Sequence, residues 1–178
     1  MLEKDFSNYE VLISEEQIAA RVKELGKQIT EDYKDSREVL FVGILKGSVP
    51  FLADLVRAVD VPARLDFMIV SSYGGGTSTS GNINIKMDLA SDIKDKDVII
   101  VEDIIDSGLT LHYLTDYLKQ RGPKTLKTVT ALDKPSRRKV DFVPDYCGFE
   151  VEDKFIIGYG LDYDQKYRNL PFISWIKE

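Results

Sequence analysis

The densest group of potentially reactive side chains lies between residues 101 and 110, where the sequence reads V-E-D-I-I-D-S-G-L-T. Glu102 and Asp103 are adjacent carboxylates, and such hard oxygen donors suit either sugar hydroxyls or a water-coordinated Mg²⁺ ion. The residues that follow offer backbone N–H groups, two hydroxyls and the positive end of a helix dipole, which together suit a phosphate monoester. We call this group the phosphate cradle; it comprises Asp106, Ser107, Gly108, Leu109 and Thr110.

Two other interpretations of this segment stay open on the pattern alone. Asp106 or Ser107 could serve only as the N-cap of the following helix, and the Glu102–Asp103 pair could be a solvated strand end. The chain contains neither a G-x-x-x-x-G-K-[S/T] loop nor a G-x-G-x-x-G turn between strand and helix. A Walker-type ATPase and a Rossmann dehydrogenase are therefore disfavoured.

The elements that must position these side chains are two strand–helix units. Asp97–Val101 is typical of a buried strand, and the helix predicted over Leu109–Arg121 ends at Gly122. Earlier in the chain, a strand predicted over Val39–Ile44 leads into a helix over Phe51–Ala58. Non-alternating apolar strands followed by helices indicate an α/β protein with a largely parallel sheet, whose carboxyl edge is where ligands bind.

Further elements surround these units. The Ser14–Tyr33 segment begins with a capping box and has apolar residues at three- to four-residue spacing, so it predicts an amphipathic helix. We expect strands at 64–71, 83–87, 125–132, 146–151, 155–158 and 172–176, the first two of which should pair. Residues 71–81 are rich in Gly, Ser and Thr and cannot pack a core, so we expect a mobile segment there.

Composition narrows the class of protein. The chain has 178 residues, 43% of them hydrophobic, which indicates one domain over residues 1–178. The net charge of −6 disfavours binding to long nucleic acid and also argues against a phosphate-rich ligand. No apolar run is long enough to span a bilayer and the start lacks a signal-peptide pattern, so we expect a cytoplasmic protein with no membrane partner. The single cysteine, Cys147, is expected to be a buried structural thiol.

Several segments resemble one known family. The Val101–Thr110 run, with its acidic pair and D-x-G-x-T spacing, resembles the 5-phosphoribosyl-1-pyrophosphate (PRPP) loop of the type I phosphoribosyltransferases. Four further segments, in chain order, resemble the hypoxanthine-guanine members of that family: Leu45–Gly47, Ser71–Tyr73, Asp133–Arg138 and Phe155–Tyr163. The resemblance extends over nearly the whole chain.

The resemblance implies the type I phosphoribosyltransferase fold, an α/β fold with a mostly parallel central sheet flanked by helices. It also implies a small hood subdomain formed by the chain termini and a mobile active-site lid at residues 71–81. The implied reaction is a Mg²⁺-dependent step of purine salvage. In it, PRPP donates its 5-phosphoribosyl group to hypoxanthine or guanine through an oxocarbenium-like transition state, giving IMP or GMP plus pyrophosphate. Relatives of this kind form dimers or tetramers, so a homodimer or homotetramer is expected, with the 51–59 helix as a candidate interface.

The resemblance also assigns residues to the handling of PRPP. The phosphate cradle would bind the 5′-phosphate, and Glu102 and Asp103 would bind the ribose diol. The implied pyrophosphate ligands are Lys46, Gly47 and Arg168. The implied metal ligands are Glu102, Asp103 and Asp162. In the family the peptide bond that corresponds to Leu45–Lys46 can be cis.

Reading of the base and closure of the site are assigned in the same way. The implied purine contacts are Lys134, Phe155, Ile156 and Asp162. The implied lid residues are Ser72 and Tyr73. Asp106 would act as the catalytic residue that takes or gives a proton at N7 of the base. Because an ammonium donates hydrogen bonds but cannot accept them, Lys134 suits the O6 acceptor of a 6-oxopurine and leaves the amino group of adenine mispaired.

Alternatives remain open for individual residues and for the whole chain. Lys46 and Lys134 could be solvated lysines, Phe155 could be ordinary core, and His112 is expected to be structural. A regulatory protein of the same fold that senses nucleotides and binds RNA is a second function, disfavoured by the net acidity. A phosphoacceptor signalling domain is a third, since it also carries paired carboxylates at a strand end.

Overall fold

The computed structural model describes residues 9–72 and 83–176. Its strands are β1 (Tyr9–Ile13), β2 (Val39–Leu45), β3 (Ala63–Ser72), β4 (Ile83–Met87), β5 (Asp97–Ile105), β6 (Thr125–Asp133), β7 (Tyr146–Glu150), β8 (Ile156–Ile157) and β9 (Ile173–Ile176). Its helices are α1 (Glu15–Asp32), α2 (Val49–Ala58) and α3 (Leu109–Lys119), with one 3-10 turn at Pro135–Arg137. No helix in the described residues combines the length and the apolar character needed to span a membrane.

The central sheet has six strands in the order β4-β3-β2-β5-β6-β7. All neighbours run parallel except β4, which runs antiparallel to β3. The expected pairing of these two strands is confirmed. The chain leaves β2 towards β3 on one side and leaves β5 towards β6 on the other, so the strand order switches direction between β2 and β5. Loops that diverge at such a switch point open a crevice at the carboxyl ends of the strands.

Both ends of the chain form a second, three-stranded sheet in the order β1-β9-β8. Its strands are antiparallel, with Tyr9 opposite Ile176 and Ile156 opposite Trp175. This small sheet corresponds to the hood that the resemblance implies, and it lies next in sequence to the tail loop at residues 158–168. The expected α/β fold, with a mostly parallel central sheet, is confirmed.

Each face of the central sheet is buried by its own layer. Alternate side chains of β2 point to opposite faces, with Phe41 in the cluster under α1 and α2 and Val42 in the cluster under α3. The same alternation separates Val101 from Ile100 on β5. A strand covered on both faces must be apolar at every position, which explains the unbroken apolar runs in the sequence.

Helix α1 starts as the sequence predicts and packs closely against α2. The Ser14 hydroxyl accepts the N–H of Gln17, and the Gln17 side chain accepts the N–H of Ser14, which completes the capping box. Gly26 allows the close approach of the two helices, since a Cβ there would lie 2.4 Å from the carbonyl oxygen of Ala58. This contact holds α2, and with it the Lys46 loop that leads into α2, against the rest of the fold.

Three local expectations need correction. Strand β5 continues to Ile105 instead of ending at Val101, because Glu102 and Ile104 pair with the neighbouring strand β6 and keep the ladder intact. Helix α3 ends at Lys119, two residues before the predicted end. Cys147 is only partly buried, although burial still raises the pKa of its thiol to about 11.

Candidate active site

A cleft of about 510 Å³ opens at the switch point between β2 and β5. Its walls come from the carboxyl ends of these two strands, from the start of α3 and from the tail loop. The predicted site residues that line it are Lys46, Gly47, Glu102, Asp103, Asp106, Ser107, Gly108, Leu109, Thr110, Asp162 and Arg168. One cavity therefore brings together the cradle, the acidic pair and the residues expected to hold pyrophosphate.

The phosphate cradle is a turn into α3 that depends on a left-handed residue. Gly108 is the N-cap of α3 with φ +79°, a conformation that glycine adopts without steric cost. The Ser107 hydroxyl accepts the N–H of Leu109 at 3.3 Å, and no side chain caps the helix at Gly108. The N-cap is therefore Gly108 instead of Asp106 or Ser107, and the residues from Ser107 to Thr110 line the cleft. The N–H groups at the start of a helix suit an anion.

The acidic pair lies near the carboxyl end of β5, where Glu102 is buried and Asp103 is partly buried. Glu102 is 8% exposed, so the interpretation of this residue as a solvated strand end is wrong. Burial and the neighbouring charge of Asp103 raise the pKa of Glu102 well above its usual range, and burial also raises the pKa of Asp103. The N–H of Ile104 donates to the Asp103 carboxylate at 2.7 Å. Because the charged forms of these two carboxyl groups are disfavoured by burial and by each other, the pair suits cations or hydroxyl donors.

Two glycines allow three loops to meet beside this pair. A Cβ at Gly47 would lie 1.5 Å from Oδ2 of Asp103, so no other residue fits there without displacing the carboxylate. Gly160, at φ +101°, approaches so closely that its Cβ would lie 1.9 Å from the Gly47 carbonyl oxygen. The peptide bond between Leu45 and Lys46 is cis. The Lys46 side chain is exposed, and its Nζ donates to Oε1 of Gln165 at 3.2 Å.

The tail loop presents an arginine and a carboxylate to the same cleft. Arg168 pairs with Asp162, Nη2 to Oδ1, at 2.7 Å, and also donates to the Gly160 carbonyl at 2.7 Å. The backbone N–H of Gln165 donates to Oδ2 of Asp162 at 2.8 Å, with Gln165 itself at φ +62°. Sequence reasoning missed Gln165, because its contacts depend on a left-handed turn that no motif indicates.

Lys134 lies behind the cradle, out of solvent. Its side chain is 7% exposed, its Nζ donates to the Lys154 carbonyl at 2.7 Å, and Oδ1 of Asp106 lies 3.7 Å away. The interpretation of Lys134 as a solvated lysine is therefore wrong. Oδ1 of Asp106 is itself buried and has no hydrogen-bond partner within the described part of the chain. A buried carboxylate oxygen without a donor is costly, so this atom is suited to a proton supplied by a ligand.

The remaining purine contacts implied by the resemblance lie beside the cleft. Phe155 is 55% exposed and meets the ring of Tyr163 edge to face at 5.5 Å, so the interpretation of Phe155 as core is wrong. Ile156 is buried in β8. Neither Phe155 nor Ile156 is among the described residues that line the 510 Å³ cleft. Tyr163 was missed because a lone tyrosine in a loop carries no sequence signal.

The residues expected to form the lid border the 73–82 segment or lie within it, and His112 lies on α3. Ser72 ends β3, while Tyr73 and residues 73–82 lie outside the described residues, so the lid assigned to them stays a prediction. His112 is half exposed in the first turn of α3, where it lies 3.7 Å from Asp116 and packs edge to face against Phe142. This placement fits the structural role expected for His112.

The cleft contains oxygen donors of the kind that Mg²⁺ prefers, but not a complete protein cage. Among the described residues no group of three or more His, Cys, Asp or Glu side chains is arranged to hold a metal ion. Mg²⁺ commonly binds through one or two carboxylates together with water and substrate oxygens. Glu102 and Asp103 supply two such carboxylates, so the residues present fit a metal that arrives with its substrate.

Comparison with known proteins agrees with this geometry. A family model for the phosphoribosyl transferase domain matches residues 9–164. The hypoxanthine-guanine phosphoribosyltransferase of Bacillus subtilis is 52% identical over 94% of this chain and 92% of its own. The hypoxanthine phosphoribosyltransferase of Salmonella typhimurium is 54% identical over 93% of both chains. A crystal structure of a hypoxanthine phosphoribosyltransferase from Staphylococcus aureus superimposes with a TM-score of 0.94 at 47% identity, covering 99% of this chain and 96% of the other.

The phosphate cradle, the acidic pair and the switch-point cleft thus occur in a chain whose three relatives described above are named as hypoxanthine or hypoxanthine-guanine phosphoribosyltransferases. The family match also removes the phosphoacceptor signalling domain as an alternative. The chain belongs to the phosphoribosyltransferase family.

Proposed function

We propose that this chain transfers the 5-phosphoribosyl group of PRPP to hypoxanthine or guanine, giving IMP or GMP and pyrophosphate in purine salvage. The observation that carries the proposal is the single cleft in which the phosphate cradle, the buried acidic pair and Asp106 adjoin one another, with the buried ammonium of Lys134 beside Asp106. The names of close relatives that cover nearly the whole chain support the same reaction.

The phosphoribosyl group fits the wall formed by β5 and α3. The cradle provides N–H groups and the hydroxyls of Ser107 and Thr110 for the 5′-phosphate. Glu102 and Asp103 lie at the end of β5 and would accept hydrogen bonds from the two ribose hydroxyls. Because Glu102 is buried, a hydrogen bond to its carboxylate is weakened less by water than one at the protein surface.

The pyrophosphate leaving group fits the opposite wall. Lys46 and Arg168 bring cationic side chains to the cleft, and the backbone of Gly47 lines the same wall. Lys46 is exposed and bonded only to the neutral Gln165 in the contacts described, so its ammonium is available to a phosphate oxygen. Arg168 is held by Asp162, which fixes the direction of its guanidinium. Positive charge placed where the departing oxygen becomes negative stabilises the transition state.

Mg²⁺ is the proposed cofactor, with Glu102, Asp103 and Asp162 as the residues that would hold it. When bound, the metal supplies positive charge that offsets the charge of the pyrophosphate. Asp162 already accepts bonds from Arg168 and Gln165, so its proposed contribution is to orient the tail loop as well as the metal. Neutralising one carboxylate of the buried pair also relieves their mutual repulsion.

The base would be read from the side of Lys134. Its ammonium keeps one hydrogen bond to the Lys154 carbonyl and has two further N–H donors, one of which suits the O6 atom of a 6-oxopurine. Oδ1 of Asp106, which lies 3.7 Å from the Lys134 ammonium but has no hydrogen-bond partner in the described residues, would hold the N7 proton of the base. Phe155 and Tyr163 form an exposed aromatic pair next to β8 that could cover the purine face.

The proposal also covers the domain organisation, the cellular location and the oligomeric state of the chain. The chain is proposed to be one domain over residues 1–178, located in the cytoplasm, as a homodimer or homotetramer with no nucleic-acid or membrane partner. The face of α2, which leads directly out of the pyrophosphate loop, is the proposed interface. A nucleotide-sensing RNA-binding regulator is the second function considered, but the net charge of −6 opposes it.

A panel of bases tests the proposed reaction directly. With PRPP and Mg²⁺ present, hypoxanthine and guanine should give IMP and GMP, whereas adenine should give no nucleotide because Lys134 cannot accept a hydrogen bond from its amino group. Nucleotides are separated by chromatography, with reactions lacking PRPP as the control. Absence of product from every 6-oxopurine would refute the proposal.

Replacement of Asp106 by Asn tests its acid–base role. Asp106→Asn should lower kcat by roughly 10²-fold or more, the usual size of a general acid–base contribution. The KM for PRPP should change little, since the cradle N–H groups are backbone atoms. The matched control is Asp116→Asn, which alters an exposed carboxylate on α3 and should leave both constants unchanged. Equal kcat for Asp106→Asn and the unmodified enzyme would remove Asp106 from catalysis.

Replacement of Glu102 by Gln tests whether the acidic pair opposes folding while serving function. Because folding raises the pKa of both carboxyl groups, ionising them destabilises the folded chain at neutral pH. Glu102→Gln should therefore raise Tm in metal-free buffer by about 2–4 °C, the change that about 1 kcal/mol produces in a chain of this size.

The same variant should lose activity, by roughly tenfold or more, as expected when a metal or substrate ligand is altered. Glu24→Gln, at an exposed position of α1, is the control for loss of one negative charge and should change neither property. A lower Tm for Glu102→Gln, or full activity, would contradict the role given to the pair.

A further inference from the structure

Behind the phosphate cradle lies Arg138, the last residue of the Asp133–Arg138 segment, to which the sequence analysis assigns no role. Arg138 follows the 3-10 turn after β6, and its guanidinium donates from Nη1 to the backbone carbonyl of Asp106 at 2.8 Å. Its Nη2 donates to the carboxylate of Asp133. The side chains of Arg138 and Asp133 are only 16% and 12% exposed, so this ion pair is largely screened from water. We propose that Arg138, held by Asp133, is a positioning residue that sets the direction of the cradle N–H groups. The inference rests on the proposed function for the identity of the phosphate ligand.

The geometry of a trans peptide links the Arg138 contact to the direction of the next N–H group. In such a unit the C=O and the N–H of the next residue point in opposite directions. The Asp106–Ser107 peptide is trans, and its carbonyl is directed to the Arg138 guanidinium. The N–H of Ser107 must therefore point away from Arg138, to the side on which Ser107 lines the cleft.

A second peptide is oriented by the same segment. The backbone N–H of Lys139 donates to the carbonyl oxygen of Ser107 at 2.9 Å. By the same geometry, the N–H of Gly108 points away from the 134–139 segment and into the cradle. Two successive N–H groups thus face the cleft because their carbonyl partners are bonded behind it. Successive amides directed to one side form an anion-binding concavity.

Packing makes this arrangement hard to reverse. A Cβ at Gly108 would lie 2.8 Å from Cδ of Arg138 and 3.1 Å from Cγ2 of Val140, so the arginine stem fills the space directly behind the turn. A flipped Asp106–Ser107 peptide would leave one guanidinium N–H without its acceptor and would turn a carbonyl oxygen towards the bound phosphate. Both changes cost free energy, the second through repulsion between negative oxygens.

We call the Arg138–Asp133 pair, with its bond to the Asp106 carbonyl, the brace. Asp133 connects this brace to the base-reading side of the site. It ends β6 opposite Ile105, and the next residue, Lys134, donates its backbone N–H to the Ile105 carbonyl at 2.9 Å. Arg138 therefore joins the strand that carries the base-reading lysine to the turn that carries the phosphate. The neighbouring Arg137 differs, since it pairs with Asp153 at 2.6 Å and its side chain is more than half exposed.

The test compares Arg138→Met with the control Arg137→Met. Methionine keeps an apolar stem against Gly108 but removes both guanidinium bonds. Binding of ribose 5-phosphate, a phosphate monoester that needs no reaction, is measured by calorimetry. Arg138→Met should weaken this binding by roughly tenfold, in line with loss of a charge-assisted hydrogen bond. The KM for PRPP should rise by a similar factor while the KM for the base changes less than about twofold, and Arg137→Met should match the unmodified protein.

These binding measurements test the role of Arg138 independently of whether the chain catalyses the proposed transfer. Unchanged ribose 5-phosphate affinity in folded Arg138→Met, equal weakening in both variants, or no binding by the unmodified protein would overturn it. If Arg138→Met does not fold, Arg138→Lys decides the matter. Lysine keeps the charge but cannot bond Asp106 and Asp133 at once, because it lacks the planar guanidinium. We expect Arg138→Lys to weaken ribose 5-phosphate binding roughly three- to tenfold. Unchanged affinity would overturn the proposal. Failure of the base panel with normal ribose 5-phosphate binding would contradict the proposed function but leave the brace intact.

Discussion

Parallel pairing of β2 with β5 at the centre of the sheet is the constraint on which the site depends. It places the end of β2, with Lys46 and Gly47, directly beside the Glu102–Asp103 pair on β5. The loops then diverge to opposite sides of the sheet, and the crevice between them becomes the cleft. Contact is so close that a side chain at position 47 would overlap the Asp103 carboxylate. The unbroken apolar strands, the two covering layers and the tail loop all serve to hold this junction.

The geometry of the site narrows what the net negative charge of the chain excludes. A net charge of −6 describes diffuse repulsion of polyanions and so remains an argument against long nucleic acid. It does not describe the local cleft, which Lys46, Arg168 and the start of α3 line and at which we propose that a divalent cation binds. Part of the negative charge is concentrated at Glu102 and Asp103, where burial makes it costly and therefore receptive to a cation.

Local signals in the sequence predicted much of the fold and part of the site. The strand–helix unit around Gly108 was predictable because an apolar run, a small-residue turn and a helix stop are contiguous. The end of β5 was not, since polar Glu102 and Asp103 stay in the ladder only through pairing with β6. The contacts of Asp103 with Gly47, and of Asp106 with Arg138, join residues far apart in sequence and depend on the folded chain. Roles assigned to the site residues remain predictions drawn from that geometry.

The central claim is that an acidic cleft binds a polyphosphate ester through oriented amides and a divalent cation. Calorimetric titration of the unmodified protein with PRPP, with and without Mg²⁺, tests it most directly. Because we propose that Glu102 and Asp103 would hold Mg²⁺, whose positive charge would offset that of the phosphate groups, Mg²⁺ should tighten PRPP binding by roughly tenfold or more. Equal affinity in the presence and absence of Mg²⁺, or no binding in either case, would contradict the account.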